Sequence, residues 1–211
     1  DGDLETVIDA VGRTPLPPYI KRDENAIDDD RQRYQTVFAS RRGAIAAPTA
    51  GLHFTRETIE KVRDRKASVV ELTLHVGYGT FEPVRVEDLG EHRVMAERYE
   101  IDEAVADILN TARNEGRRII AIGTTTTRAL ESSVKRNGRF MAEEAQAELT
   151  VTPGYRFAAI NAMLTNFHLP RSSLLVLVST FAGHELIMKA YRHAVSADYR
   201  FYSYGDCMFI A

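Results

Sequence analysis

Cysteine is almost absent from this chain of 211 residues. Cys207 stands alone, so no intrachain disulfide can form and a thiolate metal cluster is excluded. A single thiol of this kind reads as a small core residue before a nucleophile. Long hydrophobic runs are missing too: the longest strongly apolar stretch, Leu174 to Val178, falls far short of a bilayer. The chain opens on acidic residues where a secretory leader would be basic and then apolar, so the expectation is a cytoplasmic protein with no membrane partner. Neither sign of charge prevails. With 27 basic and 30 acidic residues the net charge is -3, which supplies no global field for a polyanion. A nucleic-acid partner must then use a local patch, and the candidates are Arg31, Arg33, Arg41 and Arg42, the run Lys61 to Lys66, and Arg117 with Arg118. On composition each is a solvated face. Three standard signatures are also lacking: no Gly-Lys-Ser/Thr closes a phosphate loop, Gly77-Tyr78-Gly79 has no third glycine, and no His-Glu-x-x-His occurs.

What is present suits a folded α/β protein. A hydrophobic share of 44% and a charged share of 27% are ordinary for globular domains, and the length allows a sizeable core. Residues 1–33 read as an irregular lead-in around Pro17-Pro18, and Tyr34 to Phe38 as a short strand. Thr55 is placed to cap a helix with Glu57 in its first turn, and a β-branched strand is expected from Ser68 to Val76. Further on, Asp102 opens a helix whose Val105, Ile108, Leu109 and Ala112 share a side, with Gly116 as its left-handed stop. A strand from Arg118 to Ile122 then runs through Gly123 and four threonines into a helix near Thr127 to Lys135. Two helices, 172–182 and 184–196, divide at Gly183, and Tyr199 to Ile210 reads as a closing strand pair.

Chemistry concentrates in four segments that set polar groups inside apolar runs, where they require partners or a task. These are Ala47 to Phe54, Leu74 to Phe81, Ile122 to Ser132 and Leu164 to Pro170. Strand, glycine, hydroxyl-rich turn and helix start at Gly123-Thr124-Thr125 form a natural anion or nucleotide cradle. Asn166 and His168, two apart, point the same way in an extended chain and suit joint hydrogen bonding to a sugar or base. His53 and His75 flank expected turns, where a structural and a functional role are balanced, whereas His184 and His193 read as surface or packing residues. Arg128 and Glu131, three apart on a helix, either pair with each other or hold a substrate carboxylate and hydroxyl.

These segments, with Pro17 to Ile20, Tyr34 to Val37, Pro83 to Arg85 and Tyr204-Gly205-Asp206, resemble the S-adenosylmethionine:tRNA ribosyltransferase-isomerase family of queuosine biosynthesis, in the family's order and over nearly the whole chain. The resemblance implies transfer and isomerisation of the ribosyl part of S-adenosylmethionine onto 7-aminomethyl-7-deazaguanine (preQ1) at the tRNA wobble position, giving epoxyqueuosine with loss of adenine and methionine. S-adenosylmethionine is then a consumed substrate, with no separate cofactor and no metal. A general base removes a proton beside the sulfonium, and water must be kept from the opened sugar. The implied catalytic shell is His53, His75 and His168. The implied substrate contacts are Thr49, Gly77, Gly79, Thr80, Gly123, Thr124, Thr125, Arg128, Glu131, Thr165 and Asn166. The implied fold is a mixed sheet or barrel-like α/β domain over residues 34–211, with residues 1–33 as the exit segment of an inserted small antiparallel β-barrel domain and the earlier part of the family pattern absent. A monomer acting on preQ1-modified tRNA is expected. Met95, Ala158 and Asn161 depart from the family's usual histidine, lysine and aspartate. A non-catalytic nucleotide- or RNA-binding remnant is the alternative, and a methyltransferase a third reading, disfavoured for want of a glycine-rich fingerprint.

Overall fold

Alternating burial in the sequence Glu-Arg-Tyr-Glu-Ile makes the centre of one sheet. In the computed structural model, which describes residues 4–21, 27–77 and 84–211, strand β2 (Glu97–Ile101) turns Glu97, Tyr99 and Ile101 inward and leaves Arg98 exposed. It pairs antiparallel with β1 (Thr73–His75) on one side and β4 (Glu143–Ala147) on the other, with His75 opposite Arg98 and Glu97 opposite Ala147. The second sheet has the order β3-β5-β6. Strand β3 (Ile120–Ile122) runs parallel to β5 (Ala162–Asn166), and β6 (Cys207–Ile210) closes it antiparallel. Central position buries β5 on both faces, as its apolar sequence requires.

Helices make up most of the remaining regular structure. Among the described residues these are α1 (Leu4–Val11), α2 (Ile27–Arg33), α3 (Arg56–Asp64), α4 (Glu103–Asn114), α5 (Thr124–Asn137), α6 (Ser173–Ala182) and α7 (His184–Ser196), with a 3-10 turn at Thr49–His53. Local capping chemistry explains their ends. The Thr55 hydroxyl accepts from the Thr58 amide at 3.2 Å, and the Ser172 hydroxyl from the Leu175 amide at 3.2 Å. Gly116, at φ 68, follows α4, and Gly138, at φ 73, ends α5 with its amide on the Val134 carbonyl. At Gly183 the axes of α6 and α7 bend by 117°. No single helix among the described residues is long and apolar enough to cross a membrane. One core joins both sheets, with Tyr99, Phe140, Met163, Phe167, Leu177 and Val178 among its buried members.

The architecture is mixed α/β with two small sheets, and no closed barrel occurs among the described residues. Several expected elements change. The lead-in is not irregular throughout, since α1 and α2 lie within residues 1–33. Tyr34 to Phe38 is loop: Tyr34 is buried, with its ring edge-on to Tyr204 at 5.9 Å, so the segment packs without pairing. Only Thr73–His75 of the long expected strand is paired, and only Cys207–Ile210 of the closing pair, which joins β5 and not a hairpin partner. In α4 Ile108 is 41% exposed, while Ala106, Leu109 and Ala112 form the buried side. Asp102 holds the cap position of α4 but makes no side-chain cap bond.

Candidate functional site

Parallel pairing of β3 with β5 sets Ile122 against Leu164, so both strands end at the same level. Beyond their carboxyl ends lies a cavity of about 530 Å³, the position where open α/β sheets receive ligands and a size usual for them. Gly123 makes the corner. Its φ of 92 is open only to glycine at low cost, its amide donates to the Leu164 carbonyl at 2.8 Å, and α5 begins at the next residue. The threonines expected in a turn thus form the first turn of the helix. Thr124 and Thr125 border the cavity beside helical amides with no acidic residue in that turn, an arrangement that favours an anion.

Opposite them stand Thr165, Asn166 and His168, with Thr49 from the 3-10 turn. The hydrogen bonds around Asn166 fix its orientation. Its Nδ2 donates to the Tyr202 carbonyl at 3.1 Å, and its Oδ1 accepts from the Thr49 hydroxyl at 3.4 Å. Nδ2 also lies 3.5 Å from the Ser203 carbonyl and 3.0 Å from His53 Nε2; because an amide nitrogen only donates, the bond to the ring has Nε2 as acceptor and the ring proton on Nδ1. Burial lowers the His53 pKa, against an opposing pull from Asp206. His168 pairs its Nε2 with the Thr165 hydroxyl at 3.0 Å, and its backbone amide donates to the Tyr191 hydroxyl at 2.7 Å. Burial pushes the His168 pKa down to about 4, so the ring is neutral at neutral pH.

Thr49, Gly123, Thr124, Thr125, Thr165, Asn166 and His168 therefore converge on one cavity, with His53 one hydrogen bond behind. Other expected members lie elsewhere. His75 packs on Gly43, where a Cβ would come within 2.6 Å of its Nδ1, while its neighbour Val76 takes the cavity side. Gly77 does not border the cavity, and Gly79 and Thr80 lie outside the described residues.

Arg128 and Glu131 require correction. The Arg128 guanidinium is buried and engaged at all three nitrogens: Nη1 meets Glu97 Oε2 at 2.6 Å, Nε donates to the Leu149 carbonyl, and Nη2 to the carbonyls of Met95 and Ala147. Glu131 accepts from the Tyr155 hydroxyl and from the amides of Ala158, Ala159 and Ile160. They neither pair with each other nor offer a free atom to a ligand, because remote backbone satisfies both charges. The departures from the family pattern fall near this framework too. The Met95 carbonyl holds Arg128, the Ala158 amide holds Glu131, and Asn161 Oδ1 accepts from the Ile119 amide, all away from the cavity.

Three wall residues lie outside the set expected from the sequence: Tyr19, Tyr202 and Ser203. The Tyr19 hydroxyl is 2.7 Å from Ser203 Oγ, and its ring lies 4.9 Å from that of Tyr202. Pro17 to Ile20 carried a signal as a segment; Tyr202 and Ser203 carried none. Among the described residues no group of three or more His, Cys, Asp or Glu side chains is arranged to hold a metal ion.

Residues 2–210 match the family described as Queuosine biosynthesis protein. Relatives named S-adenosylmethionine:tRNA ribosyltransferase-isomerase are 53% identical in Geotalea uraniireducens over 96% of this chain and 59% of the relative, and 52% identical in Syntrophotalea carbinolica over 99% and 60%. The Staphylococcus saprophyticus relative is 47% identical over 100% and 60%. The chain thus spans about 60% of the length of the relatives it matches. The crystal structure of S-adenosylmethionine tRNA ribosyltransferase from Thermotoga maritima is similar with a TM-score of 0.62 at 41% identity, over 77% of this chain and 51% of that one.

Proposed function

The chain belongs to the queuosine biosynthesis protein family, and from that membership we propose that it transfers the ribosyl part of S-adenosylmethionine to tRNA. The acceptor is the aminomethyl group of preQ1 at the wobble position, and the sugar is isomerised to the epoxycyclopentanediol of epoxyqueuosine while adenine and methionine depart. The observation that carries this reading is the convergence of the α5 amino end with Thr165, Asn166 and His168 on one cavity. Its volume admits a nucleoside with an amino-acid arm. The helix start with Thr124 and Thr125 suits the methionine carboxylate or a sugar hydroxyl. Asn166 and Thr49 suit hydroxyls or a base edge. His53 and His168, whose pKa values burial lowers, are the candidates for proton transfer beside the sulfonium and at the leaving adenine. Walls from Pro18, Pro48, Val76 and Leu169 keep water from the opened sugar.

On the same reading S-adenosylmethionine is consumed and no separate cofactor takes part. Residues 34–211 form the catalytic α/β domain, residues 1–33 lead out of an inserted β-barrel domain, and the protein works as a monomer in the cytoplasm. The test is incubation of the protein with S-adenosylmethionine and a preQ1-containing anticodon stem-loop. Adenine release with a matching mass increase of the RNA is expected. RNA binding without adenine would leave a non-catalytic binding protein, and S-adenosylhomocysteine in place of adenine would mean methyl transfer.

A further inference from the structure

Asn166 and His53 do more than complete one site, because a second cavity of about 570 Å³ adjoins the first across this pair. Ser203 borders both. The second cavity differs in chemistry from the first. Phe54, Tyr199 and Tyr204 give it aromatic faces, and the two tyrosines remain 44% and 40% exposed. Arg33 lies over the Tyr204 ring at 6.0 Å, and Arg200 stands at the rim with its side chain 80% exposed. Between them the Asp206 carboxylate, which borders the cavity, accepts from the Arg200 amide at 2.7 Å through Oδ2, while its Oδ1 lies 3.8 Å from Arg200 Nη2 and the side chain stays 38% exposed.

Exposed rings flanked by guanidinium groups are how single-stranded RNA is gripped: a base stacks, and its phosphates meet the cations. A carboxylate beside the rings selects among bases, since it can only accept and so suits an edge carrying neighbouring ring and amino N–H donors, as guanine-type bases do. With a net charge of -3 the chain has no general attraction for RNA, so local cations must supply it. The nitrogens of the dividing pair are 3.0 Å apart, so ligands in the two cavities would lie on either side of one side-chain contact.

We infer that the second cavity is the acceptor subsite, taking a guanine-type base turned out of a single-stranded RNA loop, stacked on Tyr204 and Tyr199 and read by Asp206. This rests on the ribosyl-transfer reading for the role of acceptor, and on the second cavity's own side chains for the ligand. Because the chain contains no tryptophan, Tyr204→Trp would place a lone fluorophore there that still stacks. Titration with an anticodon stem-loop carrying a guanine-type base should quench it, and S-adenosylmethionine alone should not. Tyr204→Ala and Tyr199→Ala should each raise the stem-loop Kd about tenfold and leave the S-adenosylmethionine Kd unchanged, while Tyr204→Phe keeps tight binding. Asp206→Asn should lower the preference for a guanine-type over an adenine-type base at that position about tenfold.

Stem-loop affinity within twofold in both alanine variants, quenching by S-adenosylmethionine instead, or no binding of the stem-loop by the unaltered protein would overturn the assignment. The two readings separate cleanly. Binding with these variant effects but without adenine release supports the subsite and removes the transfer; adenine release with variant affinities unchanged removes the subsite and keeps the transfer.

Discussion

Asn166 Nδ2 lies 3.0 Å from His53 Nε2, and the direction of that hydrogen bond is set by the Tyr202 carbonyl on the other proton of the same amide. Asn166→Asp removes both donors and sets a carboxylate beside the ring and the carbonyl. The His53 titration should move to higher pH, because an adjacent anion favours imidazolium, and adenine release should fall about a hundredfold. Histidine NMR signals followed through a pH series check the first effect; an unmoved His53 would show that the pair is not formed.

His75 sits on Gly43, outside the cavity. His75→Ala should keep adenine release within about threefold of the unaltered protein, whereas His53→Ala should lose about a hundredfold, within the range usual for a lost acid or base. Side-by-side kcat/KM values decide it. Equal losses would return His75 to the catalytic group.

Burial holds His168 at a pKa of about 4 against an ordinary 6.5. The unfolded chain therefore takes up a proton near pH 6.5, and the folded chain only near 4. Between these values the unfolded state binds more protons, so stability present above pH 6.5 is lost as pH falls through the window and levels off below 4. The loss is at most about 3 kcal/mol. Urea unfolding at pH 7, 5.5 and 4.5 measures it, and His168→Gln should flatten the slope. An identical slope in that variant would mean that other groups cause it.

Arg128 ties α5 to the paired strands β2 and β4 and to the residues flanking them through one carboxylate and three carbonyls. Arg128→Met removes the guanidinium that pairs with buried Glu97 and holds three carbonyls, and should cost about 3–5 kcal/mol of stability. Affinity for S-adenosylmethionine in the fraction that remains folded should not change. A stable variant with weakened binding would instead restore Arg128 to the substrate site.

Gly205 lies so close to the preceding turn that a Cβ would come within 2.4 Å of the Arg200 carbonyl oxygen. Gly205→Ala should therefore displace the segment that presents Tyr202 and Ser203, costing about 1–3 kcal/mol. Thermal unfolding reads the cost, and S-adenosylmethionine binding reads the displacement. A variant with neither change would show that the turn relaxes freely.

Helix ends were legible in the chain because capping is local: Thr55, Ser172, Gly116 and Gly183 act on residues within a turn of themselves. Among polar residues within apolar runs, Thr49, Thr124, Asn166 and His168 line one cavity, since burial forces such groups to find one another. Strands β2 and β4 were not legible. Glu97 faces inward on β2, which breaks the expected alternation, and β4 reads Glu-Glu-Ala-Gln-Ala, with little β preference of its own. Only pairing between distant segments makes them strands. Arg128 and Glu131 were misjudged for a related reason: a charge satisfied by remote backbone leaves no trace in its own neighbourhood.

Tyr202 holds a φ of 72, a torsion at which a bulky residue is an outlier. A glycine there would relax the chain by about 1–3 kcal/mol, yet would delete the ring that leans on Tyr19 at 4.9 Å. The strained torsion is thus held against the packing of the ring, and the wall at 202 carries a conformational cost that no neighbouring wall residue shares.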